Sequence, residues 1–211
     1  MGHKAGIETI RRVAEAADRR GVRVLTLYAF STENWSRPRD EVDALMNLFS
    51  ETIRREVDEL ARRGIELRFS GRLHDLSTAL QDQIRQANER TRVSARAILN
   101  IAINYGGRQE IVDAIRELAR DGTDLTQLDE ASVADHLYTR GLPDPDLVIR
   151  TAGEMRLSNF LLWQAAYSEF YCTQTLWPDF AQADFDEALA SYQRRIRRFG
   201  ARPEEVSNRG R

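Results

Sequence analysis

The sequence is poor in cysteine and histidine, with Cys172 as its one cysteine and three histidines in 211 residues. A single cysteine excludes an intramolecular disulfide framework and a thiolate zinc cage, and it is typical of a reducing compartment. No stretch approaches the roughly 20 apolar residues that a membrane-spanning helix needs. The first residues also lack the apolar segment of a signal peptide. We therefore expect a cytoplasmic protein.

An excess of charge of one sign is also lacking, because 31 basic residues face 33 acidic ones and the formal net charge is −2. A protein with this balance has no global positive field that would attract nucleic acid, so we expect no nucleic-acid partner. Lys4 is the only lysine, and the other basic residues are all arginines. A single arginine therefore carries little information about function until its neighbours are known.

The hydrophobic share of 42% and the length suit one domain with a core of its own. Apolar residues with a 3.6-residue period predict helices over residues 7–20, 40–63, 77–92, 108–120, 129–137 and 184–198. Short β-branched and aromatic runs predict strands over residues 22–30, 65–70, 97–104, 146–151 and 170–173. We expect a single domain over residues 1–200, followed by a polar tail over residues 201–211.

Strands and helices alternate along the chain, which predicts an α/β fold with a doubly wound, mostly parallel sheet flanked by helices. In such sheets, ligands bind beyond the carboxyl ends of the strands. Three loops with polar residues follow predicted strands, over residues 31–37, 104–108 and 150–159. If the sheet is parallel, these loops meet at one edge, and we expect the functional site there.

The loop over residues 150–159 carries Arg150, Arg156 and Ser158 around a glycine-containing turn. Two guanidinium groups, a hydroxyl and free backbone N–H groups suit a multiply charged oxyanion such as a diphosphate. The alternative is that both arginines are solvated or paired with Glu154 and other nearby acids.

The loop over residues 31–37 has side chains that can contact a substrate, and it also has a simpler interpretation. Asn34 and Glu33 can hydrogen-bond a substrate, Trp35 can cover an apolar one, and Arg37 can hold a phosphate. The alternative is a loop that only leads into the next helix, with Asp40 as its N-cap and Trp35 as a packing residue.

Two further features have an anion or a metal as a possible ligand. The Gly106-Gly107 turn precedes a helix whose N-terminus could hold phosphate, although it matches no known phosphate-loop fingerprint. Glu169 follows an apolar run, so its carboxylate is expected to be either partnered or functional. One carboxylate together with a substrate diphosphate can hold Mg²⁺, which keeps several waters.

Six segments together are similar to the cis-prenyltransferase family. They are GHKAG (2–6), TLYAFSTENWSRP (26–38), LNIAINYGGR (99–108), DLVIRTAGEMRLSNFLLWQAAYSEFY (146–171), LWPDF (176–180) and RRFG (197–200). They occur in the family's order and spacing, the similarity covers essentially the whole chain, and the fourth segment is very specific.

The resemblance implies a homodimer whose α/β subunits add isopentenyl diphosphate units, in cis geometry, to an allylic prenyl diphosphate such as farnesyl diphosphate. It implies Mg²⁺ as a cofactor. The product would be a long polyprenyl diphosphate such as undecaprenyl diphosphate, a lipid carrier precursor for cell-wall glycans. Such an apolar product makes peripheral contact with a membrane an expectation as well.

Residue by residue, the resemblance implies that isopentenyl diphosphate binds to the loop segment formed by Arg150, Arg156, Leu157 and Ser158. Asn34 would lie where the family's proposed proton acceptor lies, and Glu169 would be a Mg²⁺ ligand. The other substrate-site residues would be His3, Ser31, Thr32, Glu33, Trp35 and Arg37. Arg198 and Gly200 would reach the partner subunit's active site, and the helix over residues 40–63 would wall an apolar tunnel.

The sequence departs from the family at its beginning. Family members start with a strand that ends in Asp-Gly-Asn-Gly-Arg-Trp, whose Asp is catalytic and binds Mg²⁺, and this segment has no counterpart here. We expect unpaired sheet edges and impaired catalysis in the chain as given. An incorrect start site is our preferred account, followed by a truncated, inactive chain. A non-catalytic subunit of a prenyltransferase complex comes last, because Arg150 and Arg156 are retained.

Overall fold

The computed structural model describes residues 2–93 and 95–195, with side chains from residue 5 onward. Its helices are α1 (Gly2–Arg19), α2 (Arg39–Arg62), α3 (Thr78–Thr91), α4 (Gly107–Arg120), α5 (Glu130–Ala134) and α6 (Gln182–Gln193). Its strands are β1 (Val24–Ser31), β2 (Ile65–Ser70), β3 (Ala97–Tyr105), β4 (Leu147–Arg150) and β5 (Glu169–Cys172). A 3₁₀ helix, Thr32–Ser36, follows β1.

Each predicted helix and strand is present, and the differences lie at the ends. Helix α1 begins five residues earlier than predicted, and α5 is shorter than the predicted helix over residues 129–137. The residue before α2 is Pro38 and not Asp40, which lies in the first turn. The Asp184 carboxylate accepts a hydrogen bond from Ala181 N, so α6 begins before Asp184. Its predicted end at residue 198 lies outside the described residues.

All strand pairs are parallel, which confirms the α/β fold class. Strands β1, β3 and β2 form one sheet in that order, and β4 pairs with β5 in a second sheet. The strands therefore form two sheets in the described part of the chain, and not the one sheet that alternation alone suggested. The prediction that residues 1–200 form a single domain stays a prediction.

Helices and aromatic residues cover opposite faces of the three-stranded sheet. Its central strand, β3, is buried from Leu99 to Tyr105, as expected for a parallel strand that is covered on both faces. One face packs against apolar residues of α2 and α3, such as Val42 and Ile84. The other face packs against Tyr138 and the loop segment around Phe160 and Leu161.

A cavity of about 1220 Å³ is lined by residues of both β1 and β4, and most of its wall is apolar. Each of these strands has a partner on one side only among residues 2–93 and 95–195. Helix α2 contributes Leu45, Leu48 and Phe49 to the wall of the cavity. None of the described helices is long and apolar enough to cross a membrane.

Candidate functional site

A polar cavity of about 580 Å³ lies at the carboxyl ends of β1 and β4. The loops over residues 31–37 and 150–159 both contribute to its wall, as the parallel topology predicted. The wall is formed by Tyr28, Ala29, Phe30, Ser31, Glu33, Asn34, Arg37, Arg150, Ser158 and Asn159. Six of the predicted site residues therefore share one cavity.

The polar cavity adjoins the larger apolar one. Tyr28, Ala29 and Arg150 line both cavities, and Arg156 and Leu157 line the apolar cavity. A molecule with a charged head and a hydrocarbon tail can therefore place each end in a matching environment.

Arg150 and Arg156 both form ion pairs with the carboxylate of Glu154. The hydrogen bond from Arg150, and then the charges of both arginines, lower the pKa of Glu154. Pairing with Glu154 was the alternative interpretation of these arginines. The pairing also shows that the two guanidinium groups converge on one oxyanion. The side chain of Arg150 is 28% exposed and that of Arg156 is 62% exposed.

Asn34 and Glu33 are held in the first turns after β1. Asn34 Oδ1 accepts a hydrogen bond from Ser31 N at 3.0 Å, which closes the start of the 3₁₀ helix. Glu33 Oε1 accepts one from Asn159 Nδ2 at 2.9 Å. Burial by itself would raise the pKa of Glu33, but the hydrogen bond from Asn159 and others outweigh burial and lower the pKa. Glu33 therefore carries a negative charge at neutral pH.

Trp35 makes the contacts that its packing alternative describes, and its role in the substrate site stays a prediction. Its indole Nε1 donates a hydrogen bond to Asn104 Oδ1 at 2.7 Å, and its ring meets Phe30 edge to face at 5.2 Å between centroids. It remains 43% exposed and is not among the residues that line either cavity. Arg37 lines the polar cavity and pairs with Glu41, with 2.9 Å between nitrogen and oxygen.

Backbone N–H groups at the N-terminus of α4 donate hydrogen bonds to Asn159. These are donors that the sequence offered as candidates for binding a phosphate. Gly107 N donates to the Asn159 carbonyl oxygen at 2.7 Å, and Arg108 N donates to Asn159 Oδ1 at 2.9 Å. A Cβ on Gly106 would lie 2.7 Å from Thr32 Oγ1 and 2.9 Å from Asn159 Nδ2. Glycine is needed here because the loops approach so closely.

Glu169 is not brought to the polar cavity. It is the first residue of β5 and lies opposite Leu147, whereas Arg150 ends β4. Three residues of strand separate these positions by about 10 Å. The Glu169 carboxylate forms an ion pair with Arg195 at 2.6 Å.

Magnesium has no complete set of protein ligands among the side chains that the structure describes. Among residues 2–93 and 95–195, no three His, Cys, Asp or Glu side chains are close enough together to hold a metal ion. Glu33 is the one carboxylate that lines the polar cavity. The role of Glu169 as a metal ligand stays a prediction.

Three predicted site residues cannot be compared with the structure. Arg198 and Gly200 lie outside the described residues, as does the side chain of His3, whose backbone belongs to α1.

Sequence reasoning missed a buried carboxyl group, Glu110, and a tyrosine that lines both cavities, Tyr28. The fully buried Glu110 accepts hydrogen bonds from Tyr105 Oη, from Gln164 Nε2 at 3.0 Å and from Tyr138 N at 2.9 Å. Its position four residues before Ala114 places it on the apolar stripe of α4, and this signal could have identified it. Tyr28 stacks on Phe160 at 4.6 Å, and burial raises the pKa of Tyr28 to about 12.

Comparison with known proteins identifies the family of this chain. The family model described as "Putative undecaprenyl diphosphate synthase" matches residues 1–200. An isoprenyl transferase of Clostridium tetani is 47% identical over 95% of this chain and 80% of its own length. A ditrans,polycis-undecaprenyl-diphosphate synthase of Legionella pneumophila, specific for (2E,6E)-farnesyl diphosphate, is 46% identical over 94% of this chain and 85% of its own.

A solved structure shows the same fold. Lavandulyl diphosphate synthase from Lavandula x intermedia, in complex with dimethylallyl diphosphate, superimposes with a TM-score of 0.89 at 38% sequence identity. The match covers 94% of this chain and 88% of that one. On these grounds the chain belongs to the undecaprenyl diphosphate synthase family and is a cis-prenyltransferase.

Proposed function

We propose that this protein condenses isopentenyl diphosphate, in cis geometry, with an allylic diphosphate such as farnesyl diphosphate. Repeated condensation gives a long polyprenyl diphosphate such as undecaprenyl diphosphate. In each cycle the allylic C–O bond breaks, diphosphate leaves, a new C–C bond forms, and the isopentenyl unit loses one proton. The observation that carries the proposal is the polar cavity with Arg150 at its junction with the large apolar cavity.

In this proposal the residues of the polar cavity hold the charged ends of the substrates. Arg150, Arg156 and Ser158 bind the diphosphate of isopentenyl diphosphate, with Glu154 giving up its arginine contacts to the incoming oxyanion. Asn34 lies beside the reacting atoms as the candidate for accepting the proton. The growing chain enters the apolar cavity, and α2 residues such as Leu48 and Phe49 contact it.

The cofactor and partner parts of the proposal depend on the family resemblance. We propose that turnover depends on Mg²⁺, for which the substrate diphosphates supply most of the oxygen ligands. We also propose a homodimer, because Arg198 and Gly200 match the motif that reaches the partner's site. A cytoplasmic location and contact with a membrane through the product are expectations of the same kind.

Two measurements test the proposed function. The first is incorporation of isopentenyl diphosphate into farnesyl diphosphate by the 211-residue chain, with Mg²⁺ and with EDTA. We expect elongation with Mg²⁺ and none with EDTA, because the ion offsets the negative charge of the substrate diphosphates. Equal elongation in the two conditions would contradict the Mg²⁺ part of the proposal, and a folded chain that elongates in neither would contradict the assigned reaction.

The second measurement is the affinity for isopentenyl diphosphate by titration calorimetry, which does not require turnover. We expect Arg150→Ala and Arg156→Ala each to weaken binding by about 10-fold or more, because each removes charge-assisted hydrogen bonds to the diphosphate. Arg85→Ala is the control, since Arg85 is an exposed arginine of α3 that pairs with Asp82. Unchanged affinity in both arginine variants would overturn the assignment of this cavity to the diphosphate.

A further inference from the structure

We propose that Asn159 is a positioning residue that fixes the anion-binding loop, residues 150–159, against the two other loops at the site. The inference rests on the proposed function, since that loop carries Arg150, Arg156 and Ser158. Asn159 was not among the predicted site residues.

Asn159 forms hydrogen bonds to both neighbouring loops. Its carbonyl oxygen accepts from Gly107 N at 2.7 Å, and its Oδ1 accepts from Arg108 N at 2.9 Å. Its Nδ2 donates to Glu33 Oε1 at 2.9 Å. A primary amide offers an acceptor and donors on one short side chain, so it can bond a backbone N–H on one side and a carboxylate on the other. Aspartate, alanine and serine cannot make both bonds in this arrangement.

The backbone around Asn159 needs such an anchor. Ser158, Asn159 and Leu161 have φ values of 50°, 63° and 46°, in the left-handed region that non-glycine residues rarely adopt. Asparagine tolerates this conformation better than serine or leucine. Strained backbone of this kind persists where surrounding contacts hold it in place. The bonds of Asn159 therefore keep the Ser158 side of the loop turned toward the polar cavity.

The three loops are also packed too closely to adjust independently. A side chain on Gly106 would collide with both Thr32 and Asn159, so a displacement of Asn159 has little free space to relax into. Arg150 is held by strand β4, whereas Arg156 and Ser158 lie in irregular backbone. Loss of the Asn159 contacts should leave Arg150 in place and let the other two residues drift away from it.

Three variants separate side-chain bonding from backbone strain. Asn159→Gly keeps the left-handed backbone without strain and removes both side-chain bonds. Asn159→Asp can still accept from Arg108 N, but it places a second carboxylate against the ionised Glu33. The double variant Asn159→Asp/Glu33→Gln restores a hydrogen bond with the donor and acceptor exchanged. Asn47→Asp, at an exposed position of α2, is the charge-matched control.

The first readout is isopentenyl diphosphate affinity by calorimetry on the 211-residue chain. We expect Asn159→Gly and Asn159→Asp each to weaken binding by about 10-fold or more, the size of one lost hydrogen bond to a charged group. The affinity of the double variant should lie within about 3-fold of that of Glu33→Gln alone, because the second substitution restores the hydrogen bond between positions 33 and 159. Asn47→Asp should bind like the unchanged protein.

The second readout is hydrogen exchange of the Arg108 amide, and it needs no ligand. In Asn159→Gly this amide loses its acceptor, so it should exchange about 10-fold faster or more, while amides inside β3 keep their rates. Wild-type affinity in Asn159→Gly, or an unchanged Arg108 exchange rate, would overturn the inference. If the double variant binds isopentenyl diphosphate no more tightly than Asn159→Asp, the contact between Asn159 and Glu33 does not position the loop, and that part of the inference is wrong. Failure of the unchanged chain to bind isopentenyl diphosphate would instead refute the proposed function.

Discussion

At the scale of single residues, Glu110 is a carboxyl group with no solvent exposure. It is surrounded by donors, with the Tyr105 hydroxyl, the Gln164 amide and the Tyr138 backbone N–H all directed at it. Burial is the largest influence and raises the pKa of Glu110, although the hydrogen bonds lower it in part. The group therefore joins α4 to β3 and to the segments that carry Tyr138 and Gln164.

The raised pKa of Glu110 makes stability depend on pH. Below the ordinary pKa of glutamate, the carboxyl is protonated in both the folded and the unfolded protein, so its ionisation costs nothing. As the pH rises, the unfolded chain ionises first, and the free energy of unfolding falls until the pH passes the raised pKa of the folded state. This is the opposite direction to that of a carboxylate in an ion pair.

We predict that Glu110→Gln becomes more stable relative to the unchanged protein as the pH rises from 4 toward 8, because glutamine carries no ionisation cost. Glu110→Ala should instead lose about 3 kcal/mol or more at every pH, since it leaves three buried donors without their acceptor. Urea unfolding at a series of pH values measures both. A constant difference between Glu110→Gln and the parent across that range would contradict the assignment.

At the scale of secondary-structure elements, hydrogen bonds between polar side chains connect the three strands of the first sheet. Asn100, fully buried on the central strand β3, accepts from Ser70 Oγ at 3.0 Å on one side. On the other side its Nδ2 donates to Thr26 Oγ1 at 3.4 Å. Polar pairs between neighbouring strands favour one register. If a strand shifted along its neighbour, these buried polar groups would lose their hydrogen-bond partners.

We predict that Asn100→Ala lowers the free energy of unfolding by about 2 to 3 kcal/mol, because it removes a buried amide and leaves the Ser70 hydroxyl without this acceptor. Thr26→Ala should cost less than about 1 kcal/mol, because its bond is longer and Thr26 is only partly buried. Guanidinium denaturation gives both values. Equal losses in the two variants would show that Asn100 does not hold the sheet in register.

The same scale shows how far local pattern predicts structure here. Helix and strand positions followed from apolar periodicity, and β2 was predicted to the residue, because glycines mark where neighbouring elements end. The pairing of strands is a different matter, since it depends on contacts between residues far apart in the sequence. That is why two sheets replace the expected one in the part of the chain that the structure describes, where β1 and β4 each lie at an edge.

At the scale of the whole molecule, the 1220 Å³ cavity and the polar cavity form one amphiphilic site whose apolar part is the larger. Burial of hydrocarbon stabilises a complex by about 0.8 kcal/mol for each CH₂-sized group. The length of an allylic tail should therefore govern affinity as long as the cavity has room for it.

We predict that farnesyl diphosphate binds at least about 10-fold more tightly than dimethylallyl diphosphate, because its two additional isoprenoid units bury more hydrocarbon. The heat capacity change on binding should also be more negative for farnesyl diphosphate. Calorimetry at two temperatures measures both quantities. Equal affinity for the two ligands would mean that the large cavity does not receive the tail.

The sequence by itself determined the element order, the α/β class and the family, because periodicity, turn residues and long specific segments are local properties of the chain. It also predicted that Arg150, Ser158, Asn34 and Glu33 meet, since parallel strands end at one edge. Only the tertiary structure placed Glu169 at the start of β5, away from the polar cavity at the end of β4, where it forms an ion pair with Arg195.

Only the tertiary structure, likewise, assigned Asn159 to two neighbouring loops and gave Glu110 its three donors. The physical reason is that a hydrogen bond between loops depends on ångström-scale distances that no spacing in the sequence specifies. The positions of β1 and β4 beside the apolar cavity likewise depend on tertiary contacts. Whether strands pair depends on which backbones the fold brings side by side, and not on the propensity of either strand.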